Sequence, residues 1–169
     1  MDFHWFAWLF AVSVTLHNLE EAVWLPAWSQ TAGKWHRPVD ASAFRFAVAV
    51  LTLLAYAAVL LAVTQGKESA GAYFLSGYAL AMLLNVLFPH VLAAAVMRRY
   101  APGMLTALLF NLPVTVFLLR RSLEEGYIQL PTFAWAGPLV VILILLSIPL
   151  LFAVGGHLPG SAAARRFPK

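Results

Sequence analysis

Five apolar runs, each about the length of a bilayer crossing, leave this chain few ways to fold. A membrane-spanning helix needs about 20 predominantly apolar residues. In lipid every backbone N–H and C=O must be satisfied within the protein, so only helices and closed barrels span. Barrel strands alternate in polarity, whereas these runs are continuous. The expected fold is therefore an all-α integral membrane protein, a bundle of about five transmembrane helices forming a single domain over residues 1–169. The expected spans are Phe3–Leu25, Ala43–Thr64, Ala70–Met97, Pro102–Leu119 and Phe133–Val154. Pro26 is expected to end the first. Pro38, Pro102 and Pro131 precede spans, where proline suits a helix start. Pro89, Pro113, Pro138 and Pro149 fall within or near spans and can kink them or free carbonyls.

Composition agrees. The chain is 62% hydrophobic and 11% charged, with a mean hydropathy of +0.82, against roughly 25% charged residues in soluble domains. It has no cysteine, which excludes disulfides, thiolate metal sites, iron–sulfur clusters and cysteine nucleophiles. Met1-Asp2-Phe3-His4 lacks a basic segment ahead of the first run, so that run is expected to be retained and not cleaved. The net charge of +4 lies in the loops, with no basic face or aromatic-basic module to suggest nucleic acid.

The loop charges set an orientation. One side carries eight basic residues: Lys34, Arg37, Arg45, Arg98, Arg99, Arg165, Arg166 and Lys169. The other carries three, Lys67, Arg120 and Arg121. The richer side is expected to be cytoplasmic, which puts the N-terminus out and the C-terminus in. A bacterial-type inner (cytoplasmic) membrane is the expected location.

Within the first run stands His17-Asn18-Leu19-Glu20-Glu21. Ionisable groups at such depth cost several kcal/mol each unless paired, metal-bound or in contact with water. At i, i+3 and i+4 the histidine and both glutamates project from one side of a helix. With alternating spans, His17, Glu20, Glu21, Asn85, His90 and Asn111 come to a similar depth in the cytoplasmic half. Arg45 opens the second span on that side, where it can neutralise a carboxylate. Glu124 and Glu125 fall in an outer loop, away from this layer. His17, Glu20, Glu21 and His90 are thus candidate metal ligands, and His17, Glu20 and Glu21 candidate acid–base groups. Asn85, Asn111 and Arg45 are candidate substrate or orienting residues. Each also has a packing interpretation, because polar side chains in spans commonly hydrogen-bond between helices.

Ligand counting bears on nuclearity. Di-iron carboxylate sites in helical bundles use about four Glu and two His. Only Glu20 and Glu21 are carboxylates within the expected spans. One divalent metal, zinc or iron, fits better, on His17, Glu20 or Glu21, and His90, with a position left open for water or substrate. His4, His36 and His157 are expected at interfaces, and the tryptophans in an aromatic belt, Trp24 and Trp28 near a pocket entrance. The Arg165-Arg166-Phe167-Pro168-Lys169 tail is a topology and lipid-surface signal. Nucleophile elbows, phosphate loops and dinucleotide fingerprints are absent from the sequence.

The His17-Asn18-Leu19-Glu20-Glu21 segment, its place in the first span and the downstream Asn85 and His90 resemble the family of small polytopic membrane proteins named for its HXXEE motif. That resemblance implies a polar site at His17, Glu20 and Glu21 and supplies no reaction. A looser similarity, of chemistry alone, is to the sterol-isomerase-like membrane proteins, which place a glutamate four after a histidine, as do His17 and Glu21.

These readings favour an integral membrane enzyme acting on a lipid-like or isoprenoid-like small molecule. It would be either a metal-dependent hydrolase or a metal-free acid–base isomerase or cyclase. The alternatives are a metal-ion or proton transporter using the same groups, and a structural or partner-binding subunit. Oligomeric state is open, a homo-oligomer included.

Overall fold

Helix starts in this chain are set by side chains that accept the backbone N–H groups a first turn leaves over. In the computed structural model, which describes residues 1–33 and 37–158, α1 spans Phe3–Ser29. Asp2 caps it by accepting from the Trp5 N–H. Helix α2 (Ala41–Gln65) is capped by Asp40, which accepts from Ser42 and Ala43. Helix α3 (Ala70–Met97) is capped by Ser69, which accepts from Ala72. Helix α4 (Met104–Glu124) follows Gly103, at φ 89°, and α5 (Leu130–Gly156) carries Pro131 in its first turn. The described residues contain no strand. Lys34, Trp35 and His36, and the tail from 159 to 169 with Arg165, Arg166 and Lys169, lie outside the described residues.

Helices α2, α3, α4 and α5 are long and apolar enough to cross a membrane. Helix α1 has the length, 27 residues, but is not among them, because tryptophans and the His17–Glu21 segment dilute its apolarity. Among the described residues the regular structure is therefore all helical, with four helices long and apolar enough to cross a membrane and α1 as a fifth packed against them.

One departure from the expected boundaries and one from the expected roles have a single cause. Pro26 does not end α1, which continues to Ser29. A proline cannot donate to the carbonyl four residues back, here Ala22. The Arg45 Nε–H donates to that carbonyl instead, at 3.1 Å. Arg45 forms no ion pair with a carboxylate among the described residues. Its expected role as counter-charge to a glutamate is thus replaced by repair of a proline-broken helix.

A core of fully buried residues joins the helices, with Phe3, Phe10 and Val14 of α1, Val59 of α2, Leu75 and Tyr78 of α3 and Leu118 of α4. Glycines bring backbones together. A Cβ on Gly71 would lie 2.5 Å from the Leu61 carbonyl carbon, and one on Gly155 would lie 2.8 Å from the Ala43 Cα. The Tyr78 hydroxyl donates to the Leu51 carbonyl at 2.8 Å, tying α3 to α2.

Helices α3 and α4 depart from regular winding at one level. Val86–Leu92 and Ala107–Asn111 are π-helical. Pro89 lies within the first segment and Pro113 two residues past the second. Wider turns accommodate a missing N–H and often accompany functional sites.

Candidate functional site

The regular winding of α1 places His17 and Glu21 one turn apart, and the π-segment of α3 swings His90 toward them. The Glu21 Oε1 lies 3.3 Å from His90 Nε2 and 3.8 Å from His17 Nε2. One ligand-type atom from each of the three residues falls within 4.8 Å of the others. The rings of His17 and His90 meet edge to face, centroids 4.8 Å apart. Both histidines are almost completely buried.

The Asn85 amide nitrogen lies 3.2 Å from Nε2 of His17 and 3.2 Å from Nε2 of His90. An amide NH2 has two donors, one for each ring. Both Nε2 atoms then act as acceptors, and each ring carries its proton on Nδ1. The surroundings of His17 match this tautomer. Its Nδ1 faces the Thr106 hydroxyl at 3.1 Å, and that hydroxyl donates to Glu20 Oε2 at 2.6 Å. A histidine oriented through its second nitrogen is the usual support of a metal ligand.

Two imidazole lone pairs and a carboxylate oxygen thus converge on one small volume. In this arrangement the Asn85 hydrogens face the two imidazole lone pairs, so a metal held on His17, Glu21 and His90 would take their place and turn the amide aside. Ligands bound to zinc at about 2.0–2.2 Å in a tetrahedron stand roughly 3.3–3.6 Å apart. The 3.3 and 3.8 Å separations from Glu21 lie near that range, and within the 4.8 Å that holds all three atoms the ligands would draw together around a bound ion.

Glu20 points elsewhere. It accepts from the backbone N–H of Gly103 at 2.8 Å, from that of Thr106 at 3.1 Å, and from the hydroxyls of Thr106 and Tyr100. A carboxylate at the start of α4 satisfies leftover N–H groups and complements the helix dipole. Glu20 therefore fastens the Arg98–Gly103 loop to α1. The Trp28 indole N–H adds a bond to the Tyr100 carbonyl at 3.1 Å. Burial, then the hydrogen bond to Glu20, pushes the Tyr100 phenol above its ordinary value of 10.0 and keeps it a donor. The loop lies directly on the cluster. A Cβ on Gly103 would lie 2.6 Å from His90 Cε1 and 2.9 Å from His17 Cε1.

The other expected site residues separate. Asn85 lies in the cluster. Asn111 is fully buried one turn away along α1, where its Oδ1 accepts from Ser13 and its Nδ2 has no partner. It joins α4 to α1 and does not line the cavity described next. Tyr100, Gly103 and Thr106 were not anticipated. Pro102-Gly103 is a turn signal, the one hint in the sequence that this loop has a fixed shape.

A cavity of about 300 Å³ opens from the cluster and is lined at that end by His17, Glu21, Asn85 and His90. Its remaining walls are mostly apolar, from α2, α3 and α5, with Trp28 beside it. Trp24 is exposed on the outer face of α1. His4 and His157 are distant from the cluster. His4 Nε2 meets the Tyr127 hydroxyl at 2.8 Å, and His157 Nδ1 meets the Ala153 carbonyl at 2.7 Å.

Comparison with known proteins agrees with this geometry. The family model described as "Protein of unknown function with HXXEE motif" matches residues 8–118, which include most of α1, all of α3 and their cluster. "Uncharacterized protein YrkK" of Bacillus subtilis (strain 168) is 38% identical over 151 residues, covering 89% of this chain and 96% of that protein. No solved structure matches. The match over most of the chain and the His17-Asn18-Leu19-Glu20-Glu21 segment together show that the chain belongs to the HXXEE family.

Proposed function

We propose that this protein is an integral membrane enzyme that holds one divalent metal, zinc or iron, on His17, Glu21 and His90 and acts on a lipid-like or isoprenoid-like substrate. The observation that carries the reading is the convergence of two oriented imidazoles and a carboxylate at the polar end of an apolar cavity. A metal held by three protein ligands supplies Lewis acidity and an activated water near neutral pH. The chain's residues do the rest. Thr106 and Glu20 hold the His17 tautomer, Asn85, released from the imidazoles by the metal, would offer its amide to a polar group of the substrate, and Ala101, Pro102 and Gly103 keep loop-side water away. The HXXEE doublet then has divided duties, with Glu21 as ligand or proton acceptor and Glu20 as fastener.

The membrane reading gains support from α1. Its exposed stripe, Trp5, Trp8, Val12, Leu16, Leu19 and Val23, is apolar throughout, as suits a lipid-facing surface and not a watery one. We place α1 as a fifth span in a single domain. Arg37, Arg45, Arg98 and Arg99 flank the cluster end, and Lys67, Arg120 and Arg121 the opposite end. The positive-inside rule then sets the cluster in the cytoplasmic half of a bacterial cytoplasmic membrane, N-terminus out. The transport alternative is disfavoured beyond the cluster by the fully buried Phe3, Phe10, Leu75 and Leu118 and by the engagement of the buried polar groups there with the protein itself, Ser13 with Asn111 and Ser76 with Ser122.

Elemental mass spectrometry of detergent-purified protein, prepared without chelator, tests the proposal. One zinc or iron per chain in the wild type, lost in both His17→Ala and His90→Ala, is the expected result. Folded wild type without metal overturns the metal site and leaves metal-free acid–base chemistry.

A further inference from the structure

The cavity has more to say about what reaches the cluster and from where. Its histidines and its carboxylate are gathered in the cluster of His17, Glu21 and His90. The other polar groups along it are engaged with the protein itself. The Asn18 amide nitrogen donates to the Val48 carbonyl and to Thr52, and the Tyr78 hydroxyl donates to Leu51. A ligand that fills the space can therefore present polar atoms only near His17, Glu21, Asn85 and His90, and needs an apolar body elsewhere.

The entrance follows from what is closed. On the loop side Ala101, Pro102 and Gly103 are buried against the cluster, fastened by the bonds to Glu20. Where α5 ends beside the start of α2, Gly155 packs against the Ala43 backbone and shuts the seam. At the level of the cavity the wall of α5 is different. Leu145 lines the cavity and is yet 58% exposed, and Ile148, one turn from Ile144, lines it and is partly exposed. The α5 wall is therefore the least closed side of the cavity.

We infer that the cluster receives a single-chain amphiphile from within the bilayer, an alkyl or isoprenyl chain with one small polar head, through the α2–α5 seam, head toward His17, Glu21 and His90. This rests on the proposed site at those residues. The lining stretches Phe44–Leu51 of α2 and Ile144–Phe152 of α5 run roughly 10–12 Å along their helices at 1.5 Å per residue. That accommodates a short or medium chain lying along the seam. A diacyl lipid, with two chains under one head, does not fit a space of about 300 Å³.

The test is photolabelling in phospholipid vesicles with a medium-chain fatty alcohol bearing a terminal diazirine, followed by peptide mapping and metal analysis of the same sample. Labelling is expected in Phe44–Leu51 and Ile144–Phe152, competed by unlabelled fatty alcohol or isoprenol and not by excess phospholipid. The more effective competitor identifies the chain type. Ala81→Phe, which fills the cavity, should lower this labelling at least about fivefold with metal content unchanged. Ile148→Trp, at the partly exposed seam, is the second variant should the first fail to fold. Labelling spread evenly over the outer faces, or cavity labelling unaffected by either folded variant, overturns the inference even with metal bound. Specific cavity labelling of a protein without metal sustains this inference and defeats the metal site, so the two failures are distinct.

Discussion

The two ends of the helix bundle are held by opposite kinds of contact. At the end that joins α1's start to the α2–α3 and α4–α5 turns, every tie serves closure. The Phe3 N–H donates to Glu125 at 3.0 Å, the Phe3 ring stacks on Tyr127 at 3.5 Å between centroids, and the Glu68 N–H donates to the Tyr127 carbonyl at 2.9 Å. Burial, then the Glu125 and Asp2 carboxylates, raises the Tyr127 phenol above 10.0, so it remains a donor to His4. Fully buried Phe10 and Leu75 lie just inside. At the other end the helices unwind into π-turns, a loop is pinned by a carboxylate, and electron-rich atoms face one another across a cavity. Natural sequences violate local rules chiefly where function requires it. The regular end stabilises the fold, and the irregular end is where the proposed site lies.

The comparison is easiest to break at its largest effect. Phe10→Ala should lower stability by about 3–5 kcal/mol, as large core truncations do, and leave metal occupancy intact in protein that remains folded. Thermal unfolding in detergent beside elemental analysis reads both, and loss of metal at unchanged stability would erase the distinction. His90→Ala should do the reverse. Bound metal should fall by more than about 100-fold in affinity, beyond the 10–100-fold typical of an outer partner, with a small change in Tm. Thr106→Val, which removes the hydroxyl between His17 and Glu20, should fall within that 10–100-fold range. Metal competition with a chromophoric chelator measures it.

A smaller contrast uses two glycines at positive φ. Gly103 has φ +89° with His90 Cε1 2.6 Å from a would-be Cβ, and Gly126 has φ +73° with nothing within 4 Å. Alanine at either should cost about 1–2 kcal/mol of backbone strain, yet only Gly103→Ala should alter metal binding. Equal effects on metal would show that the loop does not pack on the cluster. The smallest effect concerns Tyr100. Its phenol is raised in the fold above the ordinary 10.0. The stabilisation it provides is therefore complete below that value and lost as pH rises through the shifted one. Tyr100→Phe should cost under about 1 kcal/mol, since the side chain is half exposed. It should also abolish the alkaline increase in proteolysis of the Arg98–Gly103 loop.

Much of the fold was legible because lipid solvation makes hydropathy nearly decisive. The expected Ala70–Met97 run coincides with α3, and the expected Ala43–Thr64 run lies inside α2, which starts two residues earlier at Ala41 because Asp40 caps it. The weak point was α1, whose polar residues make it informative and lower its apolarity together. At the site, helical spacing brought His17 and Glu21 together on paper, and alternating spans brought His90 to their depth. The loop was beyond reach. That Gly103 lies on both imidazoles and Thr106 beside His17 depends on how α3 and α4 unwind, and π-turns leave no periodic trace. Arg45 looked like a counter-charge because sequence displays charges, not the carbonyl that Pro26 frees.

The tandem glutamates carry a consequence for how this sequence tolerates change. Adjacent positions on an α-helix point about 100° apart, so Glu20 and Glu21 address different neighbours although they read as a repeated letter. They are not spares for each other. A one-residue slip of α1 would carry His17 and both glutamates about 100° around the helix together, away from His90 and from the loop, dismantling both arrangements with no change in composition. The spacing of four from His17 to Glu21, one helical turn, is the part of the motif that chemistry reads, and the letter before it keeps the door fastened.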